Sequence, residues 1–470
     1  MGVSIQIHVK GGTEMNEERG AKRRIGPRWL VPAVAAAVLL STVMAGCSKG
    51  SETTAGTKEG GNSGEGSGSP VTIDFWFPWG GDYQKDFKAN VVDPFEKKYP
   101  NIKVKMTFVE TTGSTQASDK LLTAIAGGNP PDAALFDRFL IGQWAAKGSL
   151  EDLTPFVKAD GIQESDYYPG LWAEAVYKGK VYCLPWGTDN RAMYYNKTLM
   201  KEAGLDPNAP PKTIEELDAA AAKIFKKGGN GKYETIGLIP WMNQGYLYTH
   251  AWNFGGKWEA NGQLTPNDPQ NVKALEWMAG YAKKYDIANL QSFSDSMGQT
   301  GMNPFWTGKV GFVFDGNWIL NDLAKYKLNF EWGVAPMPSA AGQPQVTWAG
   351  GWSYVIPKGA KHVKEAWEFV KFVAHKEGTL LWAKRTNAGN DITAMPAVNE
   401  ELKLAEKPAL KVFLDLMPKA YTRPVTPVGG YMWNEAIRVQ DLAINGKGEP
   451  KALLDEVKKN VDAELAKSQP

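Results

Sequence analysis

The chain has 470 residues, 43% of them hydrophobic, with 18 Trp and a net charge of +2 from 53 basic and 51 acidic side chains. That length suits two or three domains with a large core, and with charges of both signs interleaved nothing points to a nucleic-acid partner. There are two cysteines, Cys47 and Cys183, and the first belongs to the leader described next, so no disulfide framework exists.

Residues 1–14 do not read as a leader, whereas Met15 opens one: Lys22-Arg23-Arg24 and Arg28, an apolar run over 30–40, then small residues up to Cys47. This is the charged, apolar, small-residue order of an export signal, so translation is expected to start at Met15. The apolar run is short for a spanning helix and holds Pro32. Ser41-Thr42-Val43-Met44-Ala45-Gly46-Cys47 resembles a bacterial lipobox, in which the chain is cut before a cysteine whose thiol carries lipid. It departs from that pattern at Met44, where Leu is usual. The alternatives are an ordinary signal peptide and an uncleaved membrane helix. Residues 1–46 are therefore expected to be a signal peptide, Cys47 the lipidation site, and 47–70 a tether. Its Gly, Ser, Thr, Glu, Lys and Asn cannot bury enough surface to order it.

The body opens with a strand, Val71-Thr72-Ile73-Asp74-Phe75-Trp76, closed by Pro78-Trp79-Gly80-Gly81. Helical spacing follows over 87–99, period-two alternation over 102–108, a helix over 120–126 and a strand over 133–136. Strands alternating with helices predict an α/β sheet with ligands at the strand ends. Two separate strands are expected at 181–185 and 192–195, and between Leu184 and Val181 the apolar flanks of Cys183 predict a buried thiol. Thr213 and Glu216 have capping-box spacing. A helix over 272–285, a strand over 309–314, an amphipathic helix over 363–374 and two closing helices near 430–444 and 450–466 complete the reading.

Gly46-Cys47-Ser48-Lys49-Gly50 matches G-x-S-x-G but sits at the leader junction without the required strand and helix. The four histidines have no zinc spacing, no phosphate-binding loop occurs, and Gly64, Gly66 and Gly68 lie in the tether and cradle nothing. No metal, no cofactor and no enzymatic activity is expected.

Seven landmarks then come in order: Asp93-Pro94-Phe95-Glu96-Lys97-Lys98-Tyr99-Pro100-Asn101-Ile102-Lys103-Val104; Gly128-Asn129-Pro130-Pro131-Asp132; Gly148-Ser149-Leu150-Glu151-Asp152-Leu153-Thr154; Leu184-Pro185 with Tyr194-Tyr195-Asn196-Lys197; Phe305-Trp306-Thr307-Gly308-Lys309-Val310; Gly316-Asn317-Trp318; and Glu365-Ala366-Trp367-Glu368-Phe369-Val370. With them the chain resembles extracellular solute-binding proteins, family 1, of carbohydrate ABC importers, the group of maltose-binding protein, over about 70–466. The resemblance implies a type II periplasmic-binding-protein-like fold of two α/β lobes joined by crossing strands. The crossings are expected near 185–188 and 347–351, with lobe one at 70–186 plus 350–405 and lobe two at 189–346 plus 406–466.

A sugar presents apolar C–H faces and many hydroxyls, so its site needs aromatic platforms beside carboxylates, amides or Arg. Carried over position by position, the resemblance implies ligand contacts at Trp79, Asp82, Asp137, Arg138, Asp189, Gln244, Tyr246, Trp318, Gly351, Trp352 and Trp433. Asp137-Arg138 matches a sugar-binding Asp-Arg pair and Trp318 a stacking tryptophan; the glycines at 350 and 351 admit close backbone approach. Ala133-Ala134 replaces an aromatic common before the Asp-Arg pair, which implies a glycan pose unlike that of maltodextrins. Trp76, Trp277, Trp367 and Trp382 read as core. The expected protein is a monomeric, lipid-anchored receptor on the extracellular face of the cell membrane, delivering a sugar or oligosaccharide to ABC permease subunits and their ATPase. The rival readings are a secreted carbohydrate-active enzyme and a binder of a non-sugar solute such as a polyamine or an anion.

Overall fold

The computed structural model describes residues 69–109, 116–298, 303–323, 326, 328–385 and 391–468. The leader, Cys47 and nearly all of the tether lie outside these residues.

The body is built on one mixed eight-stranded sheet. Strand β1 (Val71–Phe77) runs parallel to β2 (Ile102–Phe108) on one side and β3 (Ala133–Asp137) on the other. Its alternation is that of a half-covered strand: Ile73, Phe75 and Phe77 have no exposed surface, while Thr72 faces water. Helix Val363–Ala374 covers the buried face with Ala366, Phe369, Val370 and Val373, and Phe369 meets Phe75 edge-on at 5.0 Å.

The longest strand, β4 (Leu184–Asn196, 13 residues), is a single element where two strands were expected. Between the two expected strands the chain stays extended, held by long-range bonds: Asn190 Nδ2 donates to Phe413 O at 2.8 Å, and Thr188 Oγ1 to Gly350 O at 3.0 Å. Strand β5 (Phe312–Gly316) pairs with β4 at 191–195, β6 (Trp332–Ala335) at 193–196, and β7 (Ala349–Val355) at 184–190. Strand β8 (Ile392–Thr393) also pairs with β4, and β7 continues the sheet to β3. A bulge in the β4–β7 ladder leaves Trp186 unpaired, and its indole turns into the core.

Two cores flank this strand. The first packs Phe75, Phe87, Tyr354 and Phe369 among residues from 73–186 and 349–398. The second packs Tyr194, Leu217, Phe305, Phe312 and Phe413. It is extended by a helical cluster from Leu247–Asn253, Pro269–Lys284, Gly429–Ile444 and Pro450–Lys467. Ile392 and Leu404 join the second core although they fall within 350–405, and Met417 reaches back into the first.

Local signals are realised where the chemistry is local. Thr213 Oγ1 accepts from Glu216 N at 3.1 Å, and the Glu216 carboxylate accepts from Thr213 N at 3.3 Å. The helical stretch over 82–98 widens to a π turn at Lys88–Val92, just ahead of Pro94, which has no N–H to give to the turn before it. Cys183 is fully buried, and burial pushes its thiol up to about 12.

Candidate functional site

Three stretches pass between the cores. They are β4, the start of β7, and the segment through Tyr421, whose N–H donates to Thr347 O at 2.9 Å and whose carbonyl accepts from Ala349 N at 2.8 Å. Side chains from these stretches and from the loops beside them form the site.

On the first core the loop after β1 carries Trp79. Its indole meets Trp352 edge-on at 5.1 Å and lies 6.1 Å from Trp186 and 6.0 Å from Tyr83. Trp79 and Trp352 are half-buried, whereas Trp186 is closed off. Behind them the Arg385 guanidinium lies 3.5 Å from the Trp382 ring and donates to Asp391 at 2.6 Å. Asp391 also accepts from Asn321 Nδ2 at 2.9 Å, on the helix that follows Trp318, so this pair joins both sides of the site.

On the second core Trp318 is half-buried, and its ring lies over Gly316: a Cβ at Gly316 would stand 2.0 Å from Cζ3. The Arg191 guanidinium sits 3.6 Å from the Trp348 ring and 5.2 Å from that of Trp318. It pairs with Asp189 and donates through Nη2 to Gln244 Oε1 at 3.0 Å. Gln244 O in turn accepts from Thr249 Oγ1 at 2.7 Å, and Thr249 Oγ1 accepts from Trp348 Nε1 at 2.9 Å. Tyr246 packs on Trp433 at 5.2 Å, and Trp433 reaches Trp348 at 6.0 Å and Phe139 at 6.2 Å. Beneath this wall Asp315 is buried. It accepts from Gly316 N and Asn243 Nδ2, each at 2.8 Å, and from Asn303 Nδ2 at 3.1 Å. Burial lifts its carboxyl to about 6 despite those donors and Arg191.

Asp137 ends β3, opposite Trp352 in β7, and caps the turn that follows through Phe139 N at 3.3 Å. Its side chain is 14% exposed and lies 3.5 Å from Arg423. Burial pushes its carboxyl up and Arg423 opposes the rise. Arg191 and Arg423 are thus matched by Asp189 and Asp137, and the four groups sum to no net charge.

Of the residues expected from sequence, Trp79, Trp352 and Asp137 lie together on the first side, and Asp189, Gln244, Tyr246, Trp318 and Trp433 on the second. Three depart from the expectation. Asp82 points to solvent, its side chain 91% exposed beside Lys85. Arg138 is a strut with no exposed side-chain surface. Nε donates to Glu174 at 2.7 Å, Nη1 to Gly187 O at 3.2 Å and Nη2 to Gly350 O at 2.7 Å, so its charge is matched and each of its three nitrogens is already bonded. Gly351, at φ 131°, approaches protein backbone: a Cβ there would stand 2.3 Å from Gly187 O. The residue is glycine because two crossing strands touch. Trp367 and Trp382 are buried as expected; Trp76 and Trp277 are half-buried, and Trp277 Nε1 donates to Asp218 at 3.1 Å.

Arg191, Trp348 and Arg423 were missed. A period-two reading carried through 187–191 would have put Arg191 on one face with Asp189. Trp348 and Arg423 carry no local signal, since each is placed by strands far away in sequence.

The comparisons with known proteins agree with this architecture. The Bacillus subtilis (strain 168) arabinooligosaccharide-binding protein is 28% identical over 367 residues, 72% of this chain and 75% of its own. A maltooligosaccharide ABC transporter solute-binding lipoprotein of Streptococcus pneumoniae (strain R6) is 25% identical over 379 residues, covering 78% and 83% of the two chains. Among solved structures, CpMnBP1 with mannobiose bound superposes with a TM-score of 0.73 at 30% identity, over 84% of this chain and 100% of that one. An ABC transporter solute-binding protein from Thermotoga lettingae bound with α-D-tagatose gives 0.69 at 25% identity, over 84% and 100%. The fold is therefore the two-lobed α/β type in which crossing strands join the lobes. The family model for bacterial extracellular solute-binding proteins matches residues 80–379, and the chain belongs to that family.

Proposed function

We propose that the protein captures an uncharged sugar or oligosaccharide between its lobes and delivers it to the permease of an ABC importer. One observation carries this reading. Half-buried aromatic faces, Trp79 and Trp352 on one side and Trp318, Tyr246 and Trp433 on the other, flank a charge-balanced set of Arg and Asp. Indole faces suit pyranose C–H faces, and charged hydrogen-bonding groups suit hydroxyls. A polyamine site needs surplus carboxylate, and an anion site surplus positive charge; neither is present in this set, and the further carboxylate beneath it, Asp315, is buried and already bonded by Gly316, Asn243 and Asn303. The names of the relatives, which bind arabinooligosaccharide, maltooligosaccharide and mannobiose, support the same ligand class. We assign lobe one to 70–186 plus 350–405 and lobe two to 189–346 plus 406–466; the two cores support this division, with Ile392, Leu404 and Met417 packing across it.

The test is a thermal-shift screen with neutral di- and trisaccharides of mannose, glucose and arabinose, since a ligand bound only by the folded state raises Tm. Trp318→Ala should then weaken binding of the best glycan about 5- to 150-fold, or about 1–3 kcal/mol, with the unliganded Tm nearly unchanged. A Tm raised by spermidine or by anions alone, or glycan cleavage on incubation, would reject the reading.

The extracellular placement goes with the family. We assign the anchor to Cys47, where diacylglyceryl lipidation would supply the two acyl chains that stable membrane attachment takes. Among the described residues no helix is long and apolar enough to cross a membrane. Cys47→Ala should release the protein to the medium; a variant that stays with the membrane fraction would refute this anchor.

A further inference from the structure

Four arginines are buried in or beside the site, and three of them make two or three side-chain hydrogen bonds within the protein. Arg138 bonds Glu174, Gly187 O and Gly350 O. Arg191 bonds Gln244 and Asp189. Arg385 bonds Trp382 O and Asp391. Arg423 differs. Its side chain is 8% exposed, its Nε is buried with no hydrogen-bond partner, and among the described residues it makes no hydrogen bond at all. Its acidic neighbour Asp137 lies 3.5 Å from Nη2, close enough for attraction but long for a hydrogen bond. A guanidinium carries five donors and cannot discharge itself by losing a proton.

Rings hold this cation in place: Phe139 at 3.8 Å, Trp348 at 4.9 Å and Trp433 at 5.1 Å from its central carbon. Phe139 belongs to the first side of the site, Trp348 and Trp433 to the second. The backbone is fixed two residues earlier, where Tyr421 pairs with Thr347 and Ala349. A charged fork has thus been fixed where the two sides meet, with its hydrogen bonds left unmade.

We propose that Arg423 is a specificity-determining ligand contact. Its donors complete their hydrogen bonds on neighbouring hydroxyl oxygens of the sugar, and Asp137 accepts from the same hydroxyls. The preferred ligand is an uncharged sugar with an adjacent hydroxyl pair, because each arginine at this place already has a carboxylate beside it, Asp137 at Arg423 and Asp189 at Arg191. This rests on the sugar reading above and deepens it.

The test uses the tightest-binding glycan of the mannose, glucose and arabinose panel together with its monodeoxy analogues, titrated calorimetrically into the full mature protein. In the wild type, one of the two adjacent monodeoxy analogues should bind at least about tenfold more weakly than the parent, the scale of a lost charged hydrogen bond. Arg423→Lys keeps the charge and removes the fork. It should bind the parent about 10- to 100-fold more weakly and no longer distinguish parent from that analogue; Arg423→Gln should behave alike. A merely structural Arg423 would leave the deoxy penalties unchanged in both variants, and that result overturns the assignment. So does a wild type in which no monodeoxy analogue loses more than about twofold, a measurement that needs no variant to fold. If the wild type binds no glycan of the panel, the sugar reading falls first and the role of Arg423 with it.

Discussion

Gly316→Ala tests the stacking wall without changing any residue proposed to touch the ligand. A Cβ at 316 would lie 2.0, 2.2 and 2.3 Å from Cζ3, Cε3 and Cη2 of Trp318. Carbon atoms in ordinary contact stand about 3.5–4.0 Å apart, so the indole must shift by more than about 1 Å. The φ of Gly316 lies outside the left-handed region, so alanine meets a steric obstacle and no backbone strain. Trp318 is half-buried at the edge of the second core, so the ring, not a closed interior, is what has to give way. Loss of its platform should cost about 1–3 kcal/mol of binding, or about 5- to 150-fold in Kd. The assay is calorimetric titration of the best glycan from the screen, with unliganded melting as the control. The double variant makes it decisive: in a Trp318→Ala background there is no ring to displace, and Gly316→Ala should change Kd by less than about twofold. The steric argument is refuted if Gly316→Ala binds like the wild type, or if it weakens binding equally in both backgrounds.

Arg138→Met leaves Glu174 buried and unpaired, and should lower unfolding free energy by about 3–5 kcal/mol. Adding Glu174→Leu should recover most of that in urea unfolding, and no recovery would mean that Arg138 acts through its bonds to Gly187 and Gly350 alone. Asp315 supplies the pH dependence. Its carboxyl is raised from 3.8 to about 6, so the native state keeps a proton that the unfolded chain has lost. Its contribution is full below 3.8 and is lost as pH rises through about 6, a swing of about 3 kcal/mol. Asp315→Asn does not titrate. Relative to it, the wild type should lose about 3 kcal/mol of unfolding free energy between about pH 3.5 and about pH 7.5, and a gap that does not vary with pH would refute the assignment.

Elements built from neighbouring residues were legible: β2 and the helix Val363–Ala374 fall where alternation and 3.6-residue spacing place them, and Thr213 caps its helix. The crossing strand was not, because the signal that joins its halves comes from Gly350 and Phe413, more than 150 residues away. The same holds for the site. Trp79, Trp318 and Trp433 were carried over from the family resemblance, and the structure sets them half-buried beside Trp352, Arg191 and Trp348. Arg138 was misread because an Arg after Asp at a strand end looks the same whether its partner is a sugar or a buried glutamate. Only Glu174, on a separate helix, decides between them.

The strut at Arg138 also constrains how the chain reaches this structure. Its Nη2 bond to Gly350 O spans 212 residues, and the Asn190 bond to Phe413 O spans 223. Loops of that size close slowly, and contacts at such separation mark slow-folding topologies. Until β7 is available, Arg138 and Glu174 have a binding partner in each other but no second crossing strand to lock against, so the first lobe cannot finish from its N-terminal half alone. A chain that ends before residue 350 should therefore stay open to proteolysis across 138–187, although most of its own strands are present.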